Sequence, residues 1–453
     1  MSDRKIINDP VFGFINIPKG LLYDIVCHPL LQRLTRIKQV GLSSVVYPGA
    51  QHTRFQHSLG AFHLMSEANF IFDSEAEAVQ AAILLHDIGH GPFSHVLENT
   101  LAGGVSHEEI SLMLMERMNK DMKGQLNLAI QIFKDEYPKK FLHQLVSGQL
   151  DMDRLDYLRR DSFYTGVSEG NIGSARIIKM LDVKDDHLVV ESKGIYSIEN
   201  FLMSRRLMYW QVYLHKTSVA SEKMLVNTLT RAKELALRGV ELFASPALRF
   251  FLYHPIDKKE FYNSPDCIEN FIQLDDNDIW TALKVWSNHS DVVLSTLSRG
   301  MINRKLFKVE VTSSSITKAR KEEILSRISK RLNINKKEAK YFLSISSIEN
   351  NMYKNALQSF CRFYKGEAEC PFKDGYKQMF WLCEKWWTEQ TIPATDAGCE
   401  LITPILKEYT DAGLSSFELY DGVPITLKAV LFNRYCKYAE RVDIEGFRKL
   451  YRT

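Results

Sequence analysis

Several absences narrow this chain of 453 residues before any motif is read. No stretch approaches the roughly 20 apolar residues needed to span a bilayer. The first residues, Met1-Ser2-Asp3-Arg4-Lys5, lack the apolar core of a secretion signal. Neither charge dominates: 58 basic against 55 acidic residues leave a formal +3, which gives no electrostatic case for a dedicated nucleic-acid binder. Cysteine is sparse and odd in number, seven in all, without paired or CxxC spacing, so a disulfide framework and a zinc ribbon are both disfavoured. No internal repeat or low-complexity segment is present. Together these absences predict a cytoplasmic protein with reduced thiols.

What is present is helical. The length exceeds one ordinary core, which predicts a large helical domain plus an appendage. Residues 1–240 are expected to form the main helical domain, with helices near 29–40, 57–72, 75–89, 107–121, 124–135, 139–147, 151–160 and 197–238. A small hairpin is expected where Leu188–Glu191 and Ile195-Tyr196 flank Ser192-Lys193-Gly194. Residues 241–350 are expected to combine helices over 246–300 with a strand over Leu306–Val311 and a charged helix over 317–332, a small α+β subdomain. The texture then changes. Residues 351–453 hold five of the seven cysteines and the cluster Trp381, Trp386 and Trp387, and read as a C-terminal accessory module.

The most informative stretch is His86-Asp87-Ile88-Gly89, at the end of the apolar run Ala81–Leu85 and followed by His90 and His95. Neighbouring side chains on a helix do not share a face, so His86 and Asp87 are not expected to pair with each other. Imidazole nitrogen and carboxylate oxygen converging between helices suit a divalent cation instead. Three further blocks carry chemistry. Tyr47–Gly60 places Arg54 one turn before His57, with His52 upstream. In Val105–Glu109, Ser106 caps a helix start and Glu109 closes a capping box beside His107. Along Leu150–Asp161, Asp153, Tyr157 and Asp161 recur every four residues on one helical face, with Arg154 beside them. Such a stripe makes a poor solvent face and a sound phosphate site. Arg159 and Arg160 read as salt-bridged surface or subunit contacts. His28, His63, His143, His187, His215, His254 and His289 read as structural.

In order, His57, His86-Asp87 and Asp153 resemble the H…HD…D signature of the HD-domain phosphohydrolases. The blocks around them, Tyr-Pro-Gly-Ala-x-x-x-Arg-Phe-x-His-Ser-Leu-Gly, His-Asp-x-Gly-His-Gly-Pro-Phe-Ser-His and Asp-x-Asp-Arg-x-Asp-Tyr-x-x-Arg-Asp, are similar to the deoxynucleoside triphosphate triphosphohydrolase branch over about the first 350 residues. The resemblance implies a mainly α fold with an HD-domain core. It also implies a divalent ion (Mn, Mg, Fe, Ni or Zn) on His57, His86, Asp87 and Asp153. His90, His95 and His107 with Glu98 would line the cleavage site; Glu98 stands where the family more often has Asp. Arg54 and Arg154 would hold the triphosphate, the latter where Lys is common. Tyr157 would pack on the sugar, and Gln39 and Asp161 would meet the 3′-hydroxyl. The implied reaction converts a dNTP to deoxynucleoside and tripolyphosphate in a homo-oligomer with a nucleotide effector. The alternatives are an HD phosphohydrolase for another nucleotide or phosphate ester, and a nucleotide-sensing scaffold without turnover. Nucleic acid is left open as a partner; a membrane is not expected.

Overall fold

A computed structural model describes residues 4–68, 73–101, 103–312 and 316–346. The accessory module expected over 351–453 lies outside the described residues. The protein is mainly α, as its periodicity predicts.

The chain opens with a hairpin that the sequence reading missed. Strands β1 (Arg4–Asp9) and β2 (Gly13–Pro18) pair antiparallel, Ile7 opposite Ile15. Alternation on β2 buries Ile15 and Ile17 and leaves Phe14 and Asn16 outside. Helix α1 (Leu21–Cys27) follows. The helix expected over 29–40 ends early: α2 (Pro29–Gln32) passes into one 3-10 turn, Arg33–Arg36, and Ile37 is already extended.

The site-bearing helices come next. Helix α3 (Arg54–Ser66) begins at a capping box between Thr53 and Gln56, and α4 (Asp73–Leu85) lies against it. Short α5 (Ser94–Thr100) leads to α6 (His107–Asp121), whose Ser106–Glu109 capping box forms as the sequence predicts. Helices α7 (Asn127–Phe133) and α8 (Lys140–Val146) pack on α4, and α9 (Met152–Thr165) packs on α3. Asp151 caps α9 and Gly166, at φ +75°, ends it in the left-handed conformation.

After α10 (Ser174–Lys179) comes the second hairpin, displaced from its expected place. It pairs β3 (Leu181–Lys184) with β4 (His187–Val190), turning at Asp185-Asp186, both at positive φ. Acidic residues tolerate that turn. Ser192–Gly194, expected as the turn, is one 3-10 turn that starts α11 (Ile195–Met208). Gly194 is explained by crowding: a Cβ there would sit 2.9 Å from Met180 Cβ and Val190 Cγ1. The long helix expected over 197–238 is interrupted by a π-helical segment, Tyr209–Tyr213, before α12 (Lys216–Leu237).

The rest is helical: α13 (Pro246–Tyr253), α14 (Lys258–Asn263), α15 (Pro265–Phe271), α16 (Asp276–Trp286), α17 (Val292–Ile302), α18 (Lys318–Leu332) and α19 (Lys336–Ala339). The segment Leu306–Val311, expected as a strand, has no regular secondary structure and belongs to neither sheet among the described residues. One apolar cluster runs from Ile15 and Ile17 through Leu84, Leu155 and Phe201 to Trp286 and Met301. Helices α3 and α9, whose contact frames the site, both contribute to this cluster through Leu59, Phe62, Leu155 and Leu158. No described helix is long and apolar enough to cross a membrane.

Candidate metal centre

Three elements bring the chemistry together. His57 sits one turn into α3, His86 and Asp87 follow the end of α4, and Asp153 lies in the first turn of α9. His86–Gly89 is a turn, not the last turn of a helix, since α4 stops at Leu85. The helical argument against a His86–Asp87 contact therefore does not apply. His86 Nε2 lies 3.4 Å from Asp87 Oδ1, so both side chains face one point.

That turn is held by several bonds. Ser111 on α6 donates to the His86 carbonyl (2.8 Å) and accepts from Gly89 N (2.9 Å). The buried Arg33 guanidinium donates to the Ile88 carbonyl (2.8 Å) and lies over the Phe271 ring. Burial pushes that guanidinium down to about 9. Gly89 is required because a Cβ would fall 2.2 Å from His107 O and Ser111 N.

At the centre, His57 Nε2 is 3.2 Å from His86 Nε2 and 3.1 Å from Asp153 Oδ1, and His86 Nε2 is 3.7 Å from the same oxygen. The opposite ring nitrogens are committed. His57 Nδ1 donates to Asp156 Oδ2 (2.7 Å) and His86 Nδ1 to the Ile83 carbonyl (2.7 Å), acceptors that leave no choice of tautomer. Two imidazole lone pairs and a carboxylate oxygen thus converge. Donors bound at about 2.1 Å to one ion sit roughly 3–3.4 Å apart, so this donor set fits a divalent cation. Without an ion, only protons can relieve the crowding. Burial works against a charged His57, but its hydrogen bonds to Asp153 and Asp156 overcome this and raise it to about 10. His86 is raised as well, by Asp87 and Asp153 against burial. Asp153 is held well below the usual carboxylate range, its burial outweighed by the two histidines.

Asp87 stands at the edge of this group. Its Oδ2 accepts from Arg54 Nη1 (2.6 Å) and lies 3.8 Å from His57 Nε2, while Oδ1 is 3.2 Å from His90 Nε2. His90 stacks on His107 at 3.9 Å and bonds Ser94 Oγ through Nδ1. Burial, then the Arg54 charge, pushes His90 down to about 3, so it is neutral near pH 7. His95 and Glu98 fall on α5, and their side chains lie outside the described residues.

The residues that the resemblance assigns to the substrate divide into two kinds. Arg154 pairs with Asp151, the buried cap of its own helix, and its Nη1 is 4.0 Å from Asp153 Oδ2. Tyr157 meets Tyr213 edge-on, and burial pushes its phenol up to about 12. Asp161 is enclosed: His52 Nε2 lies 2.6 Å from Oδ1 and Tyr213 donates to Oδ2 at 2.5 Å. Gln39 Oε1, Arg54 Nε and Arg154 Nε are buried and lack a hydrogen-bond partner among the described residues. Buried polar groups are almost always paired, and the same lack of a partner occurs away from this site, at Ser218 Oγ and Ser298 Oγ.

Several residues of the site escaped the sequence reading. Asp156 and Arg160 form a buried i,i+4 ion pair, whereas Arg160 was expected at the surface. The spacing was available as a signal. Tyr213 comes from the π-helical segment, a distortion frequent at functional sites that no sequence period announces. Arg205 on α11 is buried, donates to Gln149 Oε1 (3.2 Å) and leaves its Nε without a partner among the described residues.

Comparison with known proteins places the chain in a family. The profile of the HD domain matches residues 54–160, and that of the HD associated region matches 172–242. The chain is 33% identical over 323 residues to the uncharacterized protein YwfO of Bacillus subtilis, covering 68% of this chain and 72% of that one. It is 31% identical over 294 residues to the deoxynucleoside triphosphate triphosphohydrolase SAMHD1 homolog of Dictyostelium discoideum, covering 59% of this chain and 54% of that relative. The match thus spans about half the length of the SAMHD1-type relative. A crystal structure of a phosphohydrolase from Bacteroides thetaiotaomicron superposes with a TM-score of 0.77 at 80% identity, covering 78% of this chain and 90% of the other. By its signature residues, its fold and these relatives, the chain belongs to the HD-domain phosphohydrolases, related to their SAMHD1 branch.

Proposed function

We propose that this phosphohydrolase cleaves deoxynucleoside triphosphates to deoxynucleoside and tripolyphosphate, with a divalent ion held by His57, His86, Asp87 and Asp153. One observation carries the reading: two imidazole lone pairs and the Asp153 carboxylate converge within 3.7 Å, flanked by two guanidinium groups. When bound, a divalent ion polarises a phosphoryl oxygen and lowers the pKa of water.

The chain's own residues do the rest. Arg54 and Arg154 flank the carboxylates at the centre and offset charge on the phosphate oxygens. Each keeps a buried N–H without a partner among the described residues, so each has donor capacity left for a phosphate. Tyr157 offers a ring face to the sugar. Gln39 Oε1 accepts from the 3′-hydroxyl, and Asp161 has lone pairs beyond those used by His52 and Tyr213. Neutral His90 orients Asp87 and stacks on His107. Proton delivery to the leaving 5′-oxygen falls to His95 or His107 with Glu98. A homo-oligomer with a nucleotide effector completes the reading. The Dictyostelium relative's name supports the substrate class.

A product assay tests it. Purified protein of known metal content is given each dNTP and NTP, singly and mixed, with Mg or Mn. Deoxynucleoside plus tripolyphosphate is expected. Phosphate or pyrophosphate would move the cleavage to another bond, and no turnover with any mixture would remove the dNTP reading.

A further inference from the structure

The geometry points to a buried relay, Asp156–Arg160–Asp9, through which the N-terminal hairpin positions His57 for its ion. Asp156, Arg160 and Asp9 are thus positioning residues; this rests on the metal reading above. The relay starts at His57 Nδ1, bonded to Asp156 Oδ2 at 2.7 Å. One turn along α9, Arg160 grips that carboxylate as a fork: Nε to Oδ2 at 2.9 Å and Nη2 to Oδ1 at 2.9 Å. Its remaining edge meets Asp9, Nη1 to Oδ2 at 2.7 Å and Nη2 to Oδ1 at 3.4 Å. Asp9 is fixed in turn by the backbone N–H groups of Val11 (2.9 Å) and Phe12 (3.0 Å), within the turn that joins β1 to β2. The Phe12 ring lies 5.6 Å from the Arg160 guanidinium.

Three features separate this chain of bonds from an ordinary structural ion pair. Every member is buried: Asp156 and Arg160 have no exposed surface, and Asp9 has 7%. Room is reserved for it, since a Cβ on Gly60 would fall 1.9 Å from Asp156 Oδ1 and 2.1 Å from Arg160 Nη2. Its charges do not pair off one to one: two carboxylates share the Arg160 guanidinium, and the Asp156 carboxylate charge stands against the His57 ring. That charge strengthens the Nδ1–H bond and makes Nε2 a better donor to a cation. A planar fork also fixes the carboxylate plane, and with it the ring orientation, as an ammonium would not.

The test is metal affinity, measured on the full chain. Metal-free wild type, Asp156→Asn, Arg160→Lys and Asp9→Asn are titrated with Mn2+ by calorimetry and with Co2+ by visible absorption. Their melting is recorded without metal. Asp156→Asn is expected to weaken binding about 10–100-fold and to alter the Co2+ spectrum. Asp9→Asn, far along the relay, is expected to weaken it by up to about 10-fold. If Asp156→Asn does not fold, Asp9→Asn decides alone, because Arg160 there keeps its Asp156 pair. Wild-type affinity and spectrum in the folded variants, with only the melting point lowered, would make the network purely structural and overturn the relay. If wild type itself takes up no stoichiometric ion, the metal reading has failed, and the relay falls with it.

Discussion

Helix α9 presents two rows of charged groups that are handled in opposite ways. Toward the core, Asp156 and Arg160 are fully buried and saturate each other, His57 and Asp9. On the part-exposed side, the cleft row, Asp153 and Arg154 keep side-chain exposures of 26% and 24%, and Arg154 Nε has no partner among the described residues. The core row is finished without a ligand, whereas the cleft row is not. In the proposed scheme, the difference separates residues that would hold the ion's ligands in place from residues that would meet the substrate. It predicts that stability and turnover will respond differently to substitution on the two rows.

The largest effect should come from the ligands themselves. His86→Ala or Asp87→Ala should abolish metal uptake and reduce turnover by more than about 100-fold, beyond what loss of an outer partner does. Full activity in a metal-depleted double variant would break the scheme. On the core row, Arg160→Ala strands two buried carboxylates and should cost about 3–5 kcal/mol of stability in denaturant unfolding. A loss within experimental error would show that the pair is not buried as described. On the cleft row, Arg154→Ala should lower kcat/KM by about 30–160-fold, roughly 2–3 kcal/mol of transition-state stabilisation. Because Arg154 also pairs with buried Asp151, some stability will go with it. Arg154→Lys should restore the stability more fully than the turnover. Equal losses of stability and activity in both variants would move Arg154 to the core row.

The smallest effect is one of pH, and its sign is fixed. Without metal, His57 is raised from 6.5 to about 10. Its stabilising contribution is therefore complete below pH 6.5 and is lost as pH rises toward 10. Asp153 and Asp87 are depressed, so theirs is present above the usual carboxylate range and lost in acid. Melting of the metal-free protein should therefore decline from neutral to alkaline pH, and His57→Gln should flatten that slope. An unchanged slope would mean that another group carries it.

The cleft row was legible in the sequence and the core row was not. Asp153 and Tyr157 share a helical face with Asp161, which the fold encloses, and His86 and Asp87 follow an apolar run, so spacing and composition single them out. Asp156 and Arg160 carry the same residue types as a solvated helix surface; only the approach of β1 and α3 buries them. The hairpin over residues 4–18 is not legible because only β2 alternates, while β1, Arg-Lys-Ile-Ile-Asn-Asp, carries no period-2 signal. The second hairpin was misplaced because Gly194 looked like a turn, whereas its role is to make room for Met180 and Val190. The His86-Asp87 contact was misread because the last turn of α4 unwinds, and the bonds from Arg33 and Ser111 that hold it come from distant segments.

The most direct test of the central claim is a count of metal per chain in wild type and in His57→Ala, His86→Ala and Asp153→Ala, after dialysis against Mn2+ and confirmation of folding. One ion per wild-type chain, lost in each folded variant, is the predicted result. A wild type that retains no ion, or variants that retain it at wild-type level, would contradict it.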